Sequence, residues 1–125
     1  MSSFEFGNCL IPHPVKADRD GEDGFFINDE LNALGVADGV GSWYYRGVDP
    51  GIYARELMRL TEATIQAGQR DPVKVLRQAY EGNKEQGTAT ACVAILNDGQ
   101  LNSVNVGDSG FIIIREGQVV QSRQI

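Results

Sequence analysis

An α+β fold, with antiparallel strands and a pair of helices packed on one face, follows from three observations. Asp49-Pro50 and Asp71-Pro72 each open a stretch whose apolar residues recur at helical spacing. Short apolar runs on either side of that stretch are bounded by Gly, Asn and Asp, as strands are. Asn97-Asp98-Gly99 is a strong hairpin turn, which makes its flanking strands antiparallel neighbours.

The elements follow in chain order. Phe4 to Ile11 reads as a first strand, and Lys16 to Gly24 as a charged loop punctuated by glycine. Phe25 to Asn28 and Leu31 to Ala37 form a hairpin through Asn28-Asp29-Glu30. Asp49 caps the first helix and Pro50 occupies its first position, where a missing N–H costs nothing. Tyr53, Leu57, Leu60 and Thr64, with Ala54, Met58 and Ile65 beside them, make its buried stripe, and Gly68 stops it. The second helix turns Val73, Leu76, Ala79 and Tyr80 inward and ends near Gly82 or Gly87. From there the period becomes that of strands: Thr88 to Leu96, Leu101 to Val106, Phe111 to Ile114 and Gln118 to Ser122, an antiparallel meander. No repeat, low-complexity tract or linker interrupts the chain, so residues 1–125 read as one domain unit.

Composition removes several function classes. An apolar fraction of 42% is that of a folded chain. The net charge of −6, without any Lys/Arg cluster, argues against nucleic acid as a partner, because phosphate-backbone affinity needs gathered positive charge. No stretch approaches the roughly 20 apolar residues of a membrane span, and no import signal is visible at the N-terminus. His13, the only histidine, rules out a multi-histidine zinc site and reads as a surface residue between Pro12 and Pro14. Cys9 and Cys92 make no CxxC pattern and suggest a reducing compartment.

The chemistry concentrates where apolar runs end on carboxylates. In Gly35-Val36-Ala37-Asp38-Gly39-Val40-Gly41-Ser42 an apolar run stops at Asp38. A charge at the mouth of a strand is costly unless a cation or hydrogen-bond donors meet it, and the adjacent Gly39 leaves a carbonyl free as an oxygen ligand. Taken alone, the segment also fits an ordinary Asp-Gly turn. The hairpin, however, delivers Asp38 to the sheet end that Glu22 and Asp23 reach from the preceding loop, so these carboxylates can converge. Asp108 lies in a similar glycine-flanked turn. Such oxygens suit Mg²⁺ or Mn²⁺, and two such ions about 4 Å apart are the usual arrangement for metal-assisted phosphate chemistry. There is no Ser-His or Cys-His pair, no dinucleotide fingerprint and no Gly-Lys-Ser/Thr phosphate loop.

Gly21-Glu22-Asp23, Val36-Ala37-Asp38-Gly39-Val40-Gly41-Ser42-Trp43, Gly87-Thr88-Ala89-Thr90-Ala91 and Asn105-Val106-Gly107-Asp108-Ser109-Gly110 occur in this order around the helix pair. This arrangement, from about Gly7 to Ser122, resembles the metal-dependent serine/threonine protein phosphatases of type 2C. It is most similar to the divergent subgroup that reads Asp-Gly-Val-Gly before an aromatic residue. The resemblance implies two packed antiparallel sheets flanked by helices, and hydrolysis of phosphoserine or phosphothreonine in phosphoproteins by a metal-bound hydroxide. It implies that Glu22 or Asp23 holds a metal through water, that Asp38 bridges two Mn²⁺ or Mg²⁺ ions, and that the Gly39 carbonyl ligates one. Asp108 would stand at the edge of the cluster, and Thr88 and Thr90 would be strand residues without a catalytic role. Arg19 would grip the substrate phosphate, with Lys16 as the alternative. The resembled subgroup often works in mitochondria or plastids.

Two departures from the family pattern stand out. Val40 occupies a position where many members carry a histidine, and no aspartate follows Asp108. The family's domain is longer, and its second half supplies further aspartates. The expectation is therefore the N-terminal half of a phosphatase domain, a fragment or shortened form with exposed sheet edges that a missing half or a partner would cover. The alternatives are a catalytically dead module that binds phosphoproteins or a partner chain, and a plain structural domain.

Overall fold

The computed structural model describes residues 5–123, with the side chains of residues 19 and 121–123 outside that description. A short 3-10 helix, Pro14–Arg19, is opened by His13, whose exposed ring accepts the N–H of Val15 at Nδ1 over 3.2 Å. Strands β1 (Asp23–Asn28) and β2 (Ala33–Gly39) form the expected hairpin. A second 3-10 helix, Gly41–Arg46, leads to α1 (Pro50–Gln66) and α2 (Pro72–Gly82). Strands β3 (Ala89–Asn97), β4 (Gln100–Val106), β5 (Phe111–Arg115) and β6 (Gln118–Arg123) complete the described chain. The first four strands make one antiparallel sheet in the order β1-β2-β3-β4, and β5 pairs with β6 in a separate hairpin.

The caps do what their chemistry suggests. The Asp49 carboxylate accepts the N–H of Gly51 at 2.9 Å, and that of Asp71 accepts the N–H of Val73 at 3.0 Å, satisfying donors that have no partner within the helix. Gly68 follows the end of α1 with φ of +115°, a conformation that side chains disfavour. The stripe of α1 (Tyr53, Ala54, Leu57, Met58 and Ile65) packs over β1 and β2. Phe26, Ala33, Ala37, Ala91, Val93 and Ile95 meet it from the sheet, on the strand face that alternation selects.

One arginine locks the far end of the sheet. Arg70, between the helices, donates from Nε to Asn97 Oδ1 at 2.7 Å, from Nη1 to the Leu31 carbonyl at 2.7 Å and from Nη2 to the Leu96 carbonyl at 3.0 Å. Both hairpin turns of the four-stranded sheet are thereby tied to the helix pair.

Several expectations are corrected. Residues 5–11 form no strand, and Phe4 lies outside the described residues. Residues 7–11 instead lie beside Phe25 and Val36 on the sheet face away from the helices, where they border a cavity of about 580 Å³. Part of the supposed loop after Lys16 is helical, and the hairpin strands run to Asp23 and Gly39, so the acidic residues belong to the strands themselves. On α2 the inward residues are Val75, Leu76 and Ala79, whereas Val73 and Tyr80 are exposed. The meander is broken at residues 107–110, since β4 and β5 belong to different sheets.

Candidate metal centre

The hairpin register sets Asp23 directly opposite Asp38. Both point to the face away from the helices, because Gly24 and Ala37, the next pair along, are buried on the helix side. The Asp23 and Asp38 side chains are hydrogen-bonded, and the Asp38 carboxyl is pushed up to about 6. Partial withdrawal from water is the largest cause, followed by the charge and hydrogen bond of Asp23 and then by the charges of Asp108 and Glu22. Below about pH 6 Asp38 therefore carries a proton, and near neutral pH its ionised carboxylate stands among the other charges. Carboxylates from two separate stretches of backbone, 22–23 and 108, act on one group in a third.

Backbone contacts too close for side chains fix this end of the sheet. The Gly39 N–H donates to the Glu22 carbonyl at 2.8 Å. A Cβ on Gly39 would lie 2.5 Å from the Pro50 carbonyl oxygen, and one on Gly51 would lie 2.4 Å from that of Gly21. The first turn of α1 thus presses directly on the residues that flank Glu22 and Asp38. Glycine at position 39 has a packing role beside the ligand role expected for its carbonyl.

Glu22 is buried, with its side chain only 6% exposed, and its Oε1 lies 2.5 Å from Lys16 Nζ. Asp108 is exposed in the turn after β4. That turn is latched to β3, since the hydroxyls of Ser109 and Thr90 are 2.5 Å apart, and Gly107, with φ of +89°, packs against the Thr90 side chain. The Arg19 side chain, expected to meet the substrate phosphate, lies outside the described residues.

Sequence reasoning missed the Lys16–Glu22 pair, the Ser109–Thr90 latch and the bond from Trp43 Nε1 to Thr88 Oγ1 at 2.9 Å, which ties the segment after Gly41 to β3. Only the placement of threonines at alternate positions 88 and 90 hinted at the last two. The crowding of carboxylates at Asp38 is what a divalent cation would relieve, and an all-oxygen set suits Mg²⁺ or Mn²⁺. Among the described residues, however, no three Asp, Glu, His or Cys side chains stand close enough to hold one ion together. The residues fit a metal as part of a shell.

No protein-family model matches the chain. It is 46% identical over 118 residues to probable protein phosphatase 2C 80 of Arabidopsis thaliana, a match that covers 91% of this chain and 28% of the relative. It is 48% identical over 117 residues to probable protein phosphatase 2C 55 of the same plant, covering 91% and 25%. Against probable protein phosphatase 2C 71 of Oryza sativa subsp. japonica it is 42% identical over 119 residues, covering 92% and 25%. Its fold superposes on the X-ray structure of the photosystem II phosphatase PBCP with a TM-score of 0.87 and 40% identity, covering 92% of this chain and 47% of that one. The chain thus spans about a quarter of these curated relatives and about half of the solved structure. Shared identity along nearly all of its length, on a common fold, places the chain in the type 2C protein phosphatase family, as a segment of the length its relatives have.

Proposed function

We propose that residues 1–125 are part of a metal-dependent protein phosphatase domain that hydrolyses phosphoserine and phosphothreonine, with Asp38 at the centre of its metal site. The supporting observation is the rise of the Asp38 carboxyl to about 6 under the charges of Asp23, Asp108 and Glu22. Asp38, the Gly39 carbonyl and Glu22 or Asp23 would hold Mn²⁺ or Mg²⁺, with Asp108 shaping the field from the edge. Such ions, when bound, supply Lewis acidity that activates water and neutralises phosphate charge.

The chain's own residues have separable tasks. Asp23 and Asp38 present their carboxyl groups on the same side of the sheet, where a bound cation would offset the charge crowding felt at Asp38. The latch between Ser109 and Thr90 holds Asp108 near them. Arg19, or Lys16, meets the substrate phosphate. Val40 has no proton to give, so the leaving group takes its proton from water or from another group.

The remainder of the domain, or a partner, would cover apolar surface this segment leaves open. A groove of about 370 Å³ beside the edge strand β4 is lined by Tyr53, Leu57, Leu76, Tyr80 and Val106 among others. Tyr80 and Val106 are 64% and 51% exposed there.

A chimera tests the reading. Residues 7–122 would replace the matching segment of the photosystem II phosphatase PBCP, and release of phosphate from a phosphothreonine peptide would be measured. The chimera is expected to be active and its Asp38→Asn variant inactive. An inactive, folded chimera, or an unchanged Asp38→Asn chimera, contradicts the proposal.

A further inference from the structure

A cation already resides at the carboxylate cluster. Lys16 Nζ sits 2.5 Å from Glu22 Oε1, with the lysine side chain 31% and the glutamate side chain 6% exposed. The two residues belong to one folded unit, because the Gly21 N–H donates to the Lys16 carbonyl at 3.0 Å. Gly41 closes the other side. A Cβ there would come within 3.1 Å of Glu22 Oε1 and 3.6 Å of Lys16 Nζ, so the absence of a side chain leaves room for the pair. Glu22 is withdrawn from water, so losing Lys16 would leave its charge uncompensated where hydration is poor.

Glu22 also belongs to the negative field felt at Asp38. A divalent ion entering that field meets the lysine charge and competes with it for Glu22. We infer that Lys16 is a built-in counter-ion of the cluster, which steadies Glu22 in the metal-free protein and which a divalent cation displaces as it binds. The inference rests on the metal reading proposed above. It assigns Lys16 a positioning role that sets metal affinity and makes the metal-free segment more stable than an uncompensated acidic cluster would be.

The test compares the wild-type chain with Lys16→Met and Lys16→Arg. MnCl₂ titrations are followed by water-proton relaxation, with metal-free thermal melts alongside. Lys16→Met is expected to bind Mn²⁺ about fivefold more tightly, a repulsion moderated by solvent screening, and to melt at lower temperature without metal. Lys16→Arg keeps the charge and stays near wild type in both. If wild type binds Mn²⁺ and folded Lys16→Met binds no more tightly, the counter-ion role fails while the metal reading stands. If neither binds, both fail. Should Lys16→Met not fold, ¹⁵N-lysine side-chain NMR of the wild type decides: Mg²⁺ must shift the Lys16 resonance, and an unmoved resonance at saturation overturns the inference.

Discussion

Asp23 and Asp38 face each other across the β1–β2 register, and the charge and hydrogen bond of Asp23 help push the Asp38 carboxyl up to about 6. Two acids on neighbouring strands behave as a pair, and like charges opposite one another in a sheet are unfavourable unless something intervenes. In the metal-free chain a proton on Asp38 intervenes only below about pH 6. In the proposed enzyme a metal ion replaces it.

The pH dependence of stability follows from this pair. The folded Asp38 carboxyl lies at about 6, above its ordinary 3.8. Between those values the folded state binds more protons than the unfolded chain, so Asp38's contribution to stability falls as pH rises from about 4 to about 6 and stays low above that. Asp38→Asn keeps the side-chain volume and removes the charge. Without metal it is expected to melt about 3 °C above wild type near neutral pH, with the difference vanishing toward acid pH. Melts by circular dichroism in chelator check this.

Gly39 is expected to tolerate no side chain. Gly39→Ala sets a methyl against the Pro50 and Glu22 carbonyls, and overpacking against backbone costs about 1–3 kcal/mol. Urea denaturation should show a lower midpoint, whereas Gly117→Ala, where a Cβ meets nothing within 4 Å but φ is +78°, carries only the cost of the left-handed turn.

The latch between Ser109 and Thr90 makes a separate prediction. Ser109→Ala and Thr90→Val each remove one hydroxyl of a part-buried pair, at about 1 kcal/mol. Because both act on one bond, the double variant should lose less than the sum, as a double-mutant cycle in urea would measure. Mn²⁺ affinity is expected to fall with either change, since Asp108 sits beside Ser109.

Arg70 should matter for stability alone. Arg70→Ala strips its acceptors on Asn97, Leu31 and Leu96 of their donors, a loss of about 2–4 kcal/mol. Arg70→Lys recovers only part of this, because a single ammonium cannot replace the fork. Urea midpoints read the loss, and Mn²⁺ affinity of the folded variants is expected to match wild type.

What could be read from the sequence was local. Asp49, Asp71 and Asn97-Asp98-Gly99 announce helix starts and a hairpin through contacts a few residues away, and all three stand as expected. The hairpin also foretold that Asp23 and Asp38 end up together, since register carries one strand end to the other. Long-range contacts left no such mark. Nothing near Lys16 in sequence shows that Glu22 is buried beneath it, and nothing near Ser109 names Thr90. Residues 5–11 have a strand-like composition, yet they form no strand, and residues 7–11 lie beside the sheet face that carries Phe25 and Val36. Tyr80 and Val73 fit an apolar stripe by spacing, but the described sheet ends at β4 and leaves them on the rim of an open groove.

The account depends on carboxylates from separate strands and turns gathering about a cation at Asp38. Direct Mn²⁺ binding to the wild-type chain and to Asp38→Asn, followed by electron paramagnetic resonance of the free ion, tests this most directly. Wild type is expected to bind Mn²⁺ and Asp38→Asn to lose that binding while keeping its fold. Equal binding by the two proteins, or no binding by wild type, contradicts the account.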